Sequence, residues 1–159
     1  MSDETLARKA QFFRLGPEDV KDVVALEQAC FSTPWTEEQF NLSLEQKVFA
    51  LFGLRLEGRL AAYAAIYHAA GELEILNIAV APEHRRQGLG RRLLSLLLQV
   101  AAKMGITRGV LEVRISNAPA IALYESLGFT RIGVRPGYYK DTDEDALLYE
   151  CHLSATSDA

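Results

Sequence analysis

Residues 80–91 read Val80-Ala-Pro-Glu-His-Arg85-Arg86-Gln87-Gly88-Leu89-Gly90-Arg91, with an apolar stretch before them and a leucine-rich one after. This pattern predicts a strand that passes through a basic loop into a helix N-terminus. The first N–H groups of a helix have no intrahelical partner and carry a positive partial charge, so such a junction can bind phosphate. Gly88 and Gly90 would let an anion approach the backbone, and Arg85, Arg86, Arg91 and Arg92 would surround it with charge. A solvated basic turn with a helix cap is the plainer reading of the same residues. The loop is not a Walker loop, because the GK[ST] ending is absent, and it lacks the three-glycine spacing of a dinucleotide fingerprint.

Further along, Glu112 interrupts the apolar run Val110-Leu111-Glu112-Val113. A carboxylate there must face a wet cleft or be paired, and Arg114 shares its strand face by the period of two. Tyr124 stands on the helical face of Ala120 and Leu127, as a core tyrosine or as a phenol with a proton to give. Asn117 can cap that helix. Glu74 lies near a sheet end, on the surface or at the chemistry. Phe31, Pro34 and Trp35 occupy a break between two helices, and Tyr138-Tyr139 a long loop. Both places suit aromatic contact with a partner or plain anchoring into the core. Asp141, Asp143, Glu144 and Asp145 form an acidic loop, solvated or attractive to a cationic peptide. His68, His84 and His152 share no metal-like spacing, and Cys30 and Cys151 form no CxxC, so two buried thiols and no metal are expected.

The elements that would carry these residues alternate regularly. At 159 residues the chain suits one domain, read as a flexible start over 1–10, a domain over 11–153 and a tail over 154–159. A strand at Phe12–Leu15 precedes a helix begun by Gly16-Pro17-Glu18-Asp19, and Thr36-Glu-Glu-Gln39 forms a capping box for the next helix. Strands follow at about 48–56, 59–68 and 72–80, the first two joined at Glu57-Gly58. A long helix stopped by Gly105, a strand at 109–115, a helix from Asn117 to Gly128, and strands at 129–134 and 146–151 complete the order. With a net charge of −4, a role in coating nucleic acid is excluded, although a local basic patch is not. No apolar run reaches the ~20 residues of a membrane span, and no signal peptide is visible, so a cytoplasmic protein is expected.

Arg85-x-x-Gly88-x-Gly90 resembles the cofactor-binding signature of the GNAT family of N-acetyltransferases. The resemblance implies an α/β fold with a mixed, mostly antiparallel sheet of about seven strands and about four helices. It implies acetyl-CoA as cosubstrate, its pyrophosphate held by Arg85, Arg86, Gln87, Gly88, Leu89, Gly90 and Arg91. Backbone groups of Ile78, Ala79 and Val80 would follow the pantetheine and place an amide at the thioester carbonyl, and Asn117 would also touch the cofactor. Glu112 would be the base, acting through a water, and Tyr124 the acid. Glu74 stands where lysine-acetylating relatives carry their base. The segments at Trp35 and at Tyr138-Tyr139 would flank a peptide groove.

Leu111–Asn117, Ala120–Phe129 and Arg135–Tyr139 are similar to the branch of that family that acetylates the N-terminal alanine of a small-subunit ribosomal protein. Leu148-Tyr149 departs from that branch, where a methionine-containing ending is expected. The implied partner is that N-terminal peptide, with no direct nucleic acid and no membrane. An α-amino group, with a pKa of about 7.7–8.0 against ~10.4 for lysine, needs only a modest base. Acetylation of lysine or of a small amine by the same fold, and a non-catalytic CoA-binding partner module, are the alternatives.

Overall fold

The computed structural model describes residues 3–154. Seven strands, β1 (Gln11–Leu15), β2 (Phe49–Leu56), β3 (Arg59–Ala69), β4 (Glu72–Val80), β5 (Arg108–Arg114), β6 (Thr130–Tyr139) and β7 (Glu144–His152), form one sheet in the order β1-β2-β3-β4-β5-β7-β6. Five helices accompany them: α1 (Asp3–Lys9), α2 (Val20–Cys30), α3 (Glu37–Leu44), α4 (Leu89–Lys103) and α5 (Ala118–Ser126). The α/β reading and the seven strands agree with expectation, and α1 is one helix more. It lies where a flexible start was expected, and its reason is tertiary: Ala7 and, just after the helix, Ala10 are buried. Of the expected tail, residues 155–159 lie outside the described residues. Among the described residues no helix is long and apolar enough to cross a membrane.

The chain divides into two compact units. The first comprises the chain up to Tyr67 with Asn77–Leu97, the second His68–Leu76 with the chain from Leu98 onward. In the first, β1 and β2 pair antiparallel from Gln11↔Arg55 to Leu15↔Leu51, and β2 and β3 from Phe49↔Tyr67 to Leu56↔Arg59. The β2–β3 turn places Glu57 and Gly58 at φ 50° and 81°, the left-handed pair that a two-residue hairpin demands. Val20, Val23 and Leu26 put one face of α2 into the core, and Arg55 of β2 bonds Asp19 just before that helix at 2.7 Å. The expected capping box forms at α3: Gln39 N–H donates to Thr36 Oγ1 at 3.2 Å, and Thr36 N–H to Gln39 Oε1 at 2.8 Å.

In the second unit β4 and β5 run parallel over Glu72↔Arg108 to Ile75↔Leu111, and β7 pairs antiparallel with all of β5. Both helix stops foreseen from glycine are Schellman turns. Ile106 N–H reaches Ala101 O at 3.0 Å around Gly105, and Phe129 N–H reaches Tyr124 O at 3.1 Å around Gly128. Gly105 sits at φ 87° and a Cβ there would meet nothing within 4 Å, so the conformation alone requires glycine. Gly105→Ala is expected to cost about 1–2 kcal/mol, which thermal unfolding would read as a Tm lower by roughly 2–8 °C.

Candidate active site

In the first unit, β4 ends in Ile78-Ala79-Val80, with Ala79 buried and its neighbours half-buried. Val80 O accepts from Arg85 Nε at 3.2 Å, which folds the following loop back on the strand end. Within that loop Arg86 and Gly88 both take the left-handed conformation, at φ 61° and 80°, and α4 opens at Leu89. Two such residues so close together curl the backbone, and curled N–H groups beside a helix N-terminus make an anion cradle. Arg85, Arg86 and Arg91 are exposed around it. Two polar atoms of the same stretch, Gln87 Oε1 and Arg92 Nε, are buried without a hydrogen-bond partner.

The acid–base candidates belong to the second unit. Glu112 is the first residue of β5 past the parallel ladder with β4, and its side chain is 24% exposed. The pairing with Arg114 that its spacing allowed does not form. Arg135 Nη2 lies 3.5 Å from Glu112 Oε1 instead, and Glu112 is the chief influence that raises the Tyr138 phenol. Glu74, exposed on β4, acts on Tyr138 as well, so the structure brings both candidate bases to one phenol. Tyr124 is buried edge-on against Phe129, with ring centroids 5.8 Å apart, and burial with a smaller effect of Tyr139 pushes it up to about 12. It is therefore a fully protonated phenol at neutral pH. Asn117 caps α5 as expected, accepting from Ala120 N–H at 3.2 Å.

Tyr138 and Tyr139 end strand β6 rather than lying in a loop. Pro136 and Gly137 signal a break, yet β6 is an edge strand and absorbs them in an irregularity between Arg135 and Tyr139, with Gly137 at φ 59°. The acidic loop is solvated, with Asp141 and Asp143 exposed, but Asp141, Glu144 and Asp145 are partnered. Arg114 grips Asp141 through two contacts of 3.0 Å and Glu144 at 3.3 Å, Asp145 accepts from Gly137 N–H at 2.9 Å, and the Arg114 guanidinium lies 4.1 Å from the Tyr139 ring centroid.

Trp35, in the first unit, packs on Phe40 and Phe49 at 5.2 and 6.1 Å between ring centroids. Its N–H donates to Glu27 Oε2 at 2.8 Å. Glu27 is a residue that sequence reasoning missed: only 1% exposed, it also accepts from Tyr63 and Asn77. The signal was present as a charge on the apolar face of α2, in step with Val20 and Val23. A groove of about 320 Å³ in this unit, lined among others by Asp22, Leu26, Arg59 and Glu83, contains none of the candidate residues.

A family model described as the acetyltransferase (GNAT) family matches residues 20–129. The chain belongs to the GNAT family. It is 41% identical over 138 residues to the [ribosomal protein bS18]-alanine N-acetyltransferase of Escherichia coli K12, spanning 86% of this chain and 93% of that one. A crystal structure of the ribosomal-protein-S18-alanine N-acetyltransferase from Escherichia coli superposes with a TM-score of 0.86 at 38% identity, covering 91% of this chain and 94% of that one. The PaiA N-acetyltransferase of Thermoplasma acidophilum, solved in complex with coenzyme A, has a TM-score of 0.75 at 16% identity over 91% and 99%, a likeness of fold alone.

The GNAT fold uses acetyl-CoA, and the curled backbone at Arg86–Leu89, with the buried and unpartnered Arg92 Nε as a donor, is chemically compatible with a pyrophosphate. The second unit has its own electrostatic signature. Arg114 first, and then the backbone of Thr142, hold the Asp141 carboxyl below its ordinary range. The depressed group contributes fully above its ordinary value of about 3.9 and is lost only as pH falls through the lower folded value. Arg114→Met is expected to return Asp141 to the ordinary range in a carboxyl-carbon NMR titration. An unmoved midpoint would assign the shift elsewhere.

Proposed function

We propose that this GNAT protein is an acetyl-CoA-dependent Nα-acetyltransferase of the cytoplasm that acetylates the N-terminal alanine of ribosomal protein bS18. The observation that carries the reading is the 41% identity that spans 93% of the Escherichia coli enzyme of that name. Arg85, Arg86, Gln87, Gly88, Leu89, Gly90 and Arg91 hold the pyrophosphate, and the backbone of Ile78, Ala79 and Val80 holds the pantetheine and polarises the carbonyl oxygen. Asn117 adds a cofactor contact while capping α5. When bound, acetyl-CoA supplies the activated acetyl group.

Glu112, acting through a water, takes the proton of the α-ammonium as nitrogen bonds to the acetyl carbon and the carbon–sulfur bond breaks. Tyr124 donates to the departing sulfur. With the phenol held up to about 12 and an ordinary thiol near 8.5, full proton transfer runs uphill. Tyr124 therefore acts chiefly by hydrogen bonding to the thiolate, which takes its final proton as it leaves. Trp35, Tyr138 and Tyr139 line the peptide side, and Arg135 gives up Glu112 to the incoming ammonium.

Two peptides test the substrate class by coenzyme A release with mass confirmation: one with a free N-terminal alanine, and a twin blocked at its N-terminus with an internal lysine. Acetyl on the alanine amine alone is expected. Acetyl on lysine alone would move the base to Glu74, and no release with the cofactor bound would leave a partner module. Glu112→Gln is expected to lower kcat about 10²–10⁴-fold with coenzyme A affinity by calorimetry unchanged. Tyr124→Phe, which removes one hydrogen bond to a charged sulfur, is expected to cost about 10–100-fold. Full activity in Glu112→Gln would end that residue's role as base.

A further inference from the structure

Glu27 is a carboxylate on α2 buried to 1% exposure, and the donors around it are all neutral. Its two oxygens serve different parts of the first unit. Oε2 accepts from the backbone N–H of Trp35, in the turn between α2 and α3. Oε1 accepts from the Tyr63 hydroxyl on β3 and from Asn77 Nδ2 on β4, and Asn77 also donates to Tyr63 Oη at 3.1 Å. Burial and then the bond to Glu27 push the Tyr63 phenol far up, so it remains a donor throughout the working range. Asn77 directly precedes Ile78-Ala79-Val80. A second link parallels the first three residues later on the helix: Cys30 Sγ donates to Val80 O at 3.4 Å.

An apolar side chain of similar size would fill this space without desolvating a charge. It could not hold a turn and a strand at two ends of one rigid, planar group. We propose that Glu27 is a positioning residue for acetyl transfer, registering the turn that carries Trp35 against the strand Asn77–Val80, so that occupation of the strand by the cofactor is felt at the peptide-side turn. The inference rests on the function proposed above. Chemically, a pull on the Asn77 backbone displaces its amide, the amide reorients the Glu27 carboxylate, and the carboxylate carries the Trp35 N–H with it. Coupling of this kind is reciprocal, so a peptide seated against Trp35 tightens cofactor binding by the same factor.

The chain carries its own reporter, because Trp35 is its single tryptophan. Coenzyme A titrated into the full-length protein is expected to shift Trp35 emission in parallel with the calorimetric isotherm. Asn77→Ala cuts the strand from Oε1 and leaves the bond to Trp35. It should keep the resting emission and lose the response to coenzyme A. Glu27→Gln leaves one acceptor oxygen for donors at both ends, so either the Trp35 N–H or the Tyr63–Asn77 pair loses its partner. The variant should lower the factor by which peptide and coenzyme A tighten each other's binding about tenfold in both directions, the equivalent of one lost hydrogen bond, while the affinity of each measured alone stays put. Should Glu27→Gln fail to fold, Asn77→Ala decides alone. Coenzyme A that binds with Trp35 emission unmoved overturns the coupling and leaves the proposed function standing, as does a response that survives in Asn77→Ala. Absence of coenzyme A binding overturns both.

Discussion

Register along β5 is the constraint on which the second unit depends. Leu111 and Val113 are buried on one face, and Val110, Glu112 and Arg114 emerge on the other. A slip of one residue against β7 would reverse both sets, burying Glu112 and exposing the core. An arginine stands at each end of the strand. Arg108 pairs with Glu72 on β4 at 2.8 Å and with Glu150 on β7 at 3.0 Å, and Arg114 grips Asp141 and Glu144. Exposed ion pairs contribute about 0–1 kcal/mol each, whereas burying two aliphatic side chains contributes several. Stability in this register therefore comes from Leu111 and Val113, and the arginines select it against its neighbours.

At Tyr124 and Asn117 the structural role leaves the side chain fit for the chemical one proposed for it. Packing against Phe129 makes Tyr124 a core residue, and the dryness of that packing lifts its phenol still further from ionisation. Asn117 spends its side-chain oxygen on the first turn of α5 and leaves its amide nitrogen available.

What the sequence displayed openly was local. The capping box at Thr36, the stops at Gly105 and Gly128, the turn at Glu57-Gly58 and the basic loop at 85–91 each follow from the conformational demands of a few adjacent residues, and each is found in place. What it concealed was partnership at a distance. Arg114 lies two residues from Glu112 and binds Asp141, 27 residues away, because the β6–β7 hairpin brings two acids, Asp141 and Glu144, to it. Pro136-Gly137 reads as a break, but an edge strand has no second neighbour to lose by bulging. The helix at Asp3–Lys9 depends on burial of Ala7, which no local pattern announces. Glu27 was visible as a charge on an apolar face, while its three donors come from three separate segments.

The arginines of 85–92 have a further consequence. This stretch carries four positive charges and no acid, in a chain whose net charge is −4, so the remainder is more acidic than the total suggests. A basic stretch in an otherwise acidic chain is a local attractor for a polyanion such as the donor proposed to bind there. Such attraction, set out along eight consecutive residues, weakens as added salt shortens the Debye length.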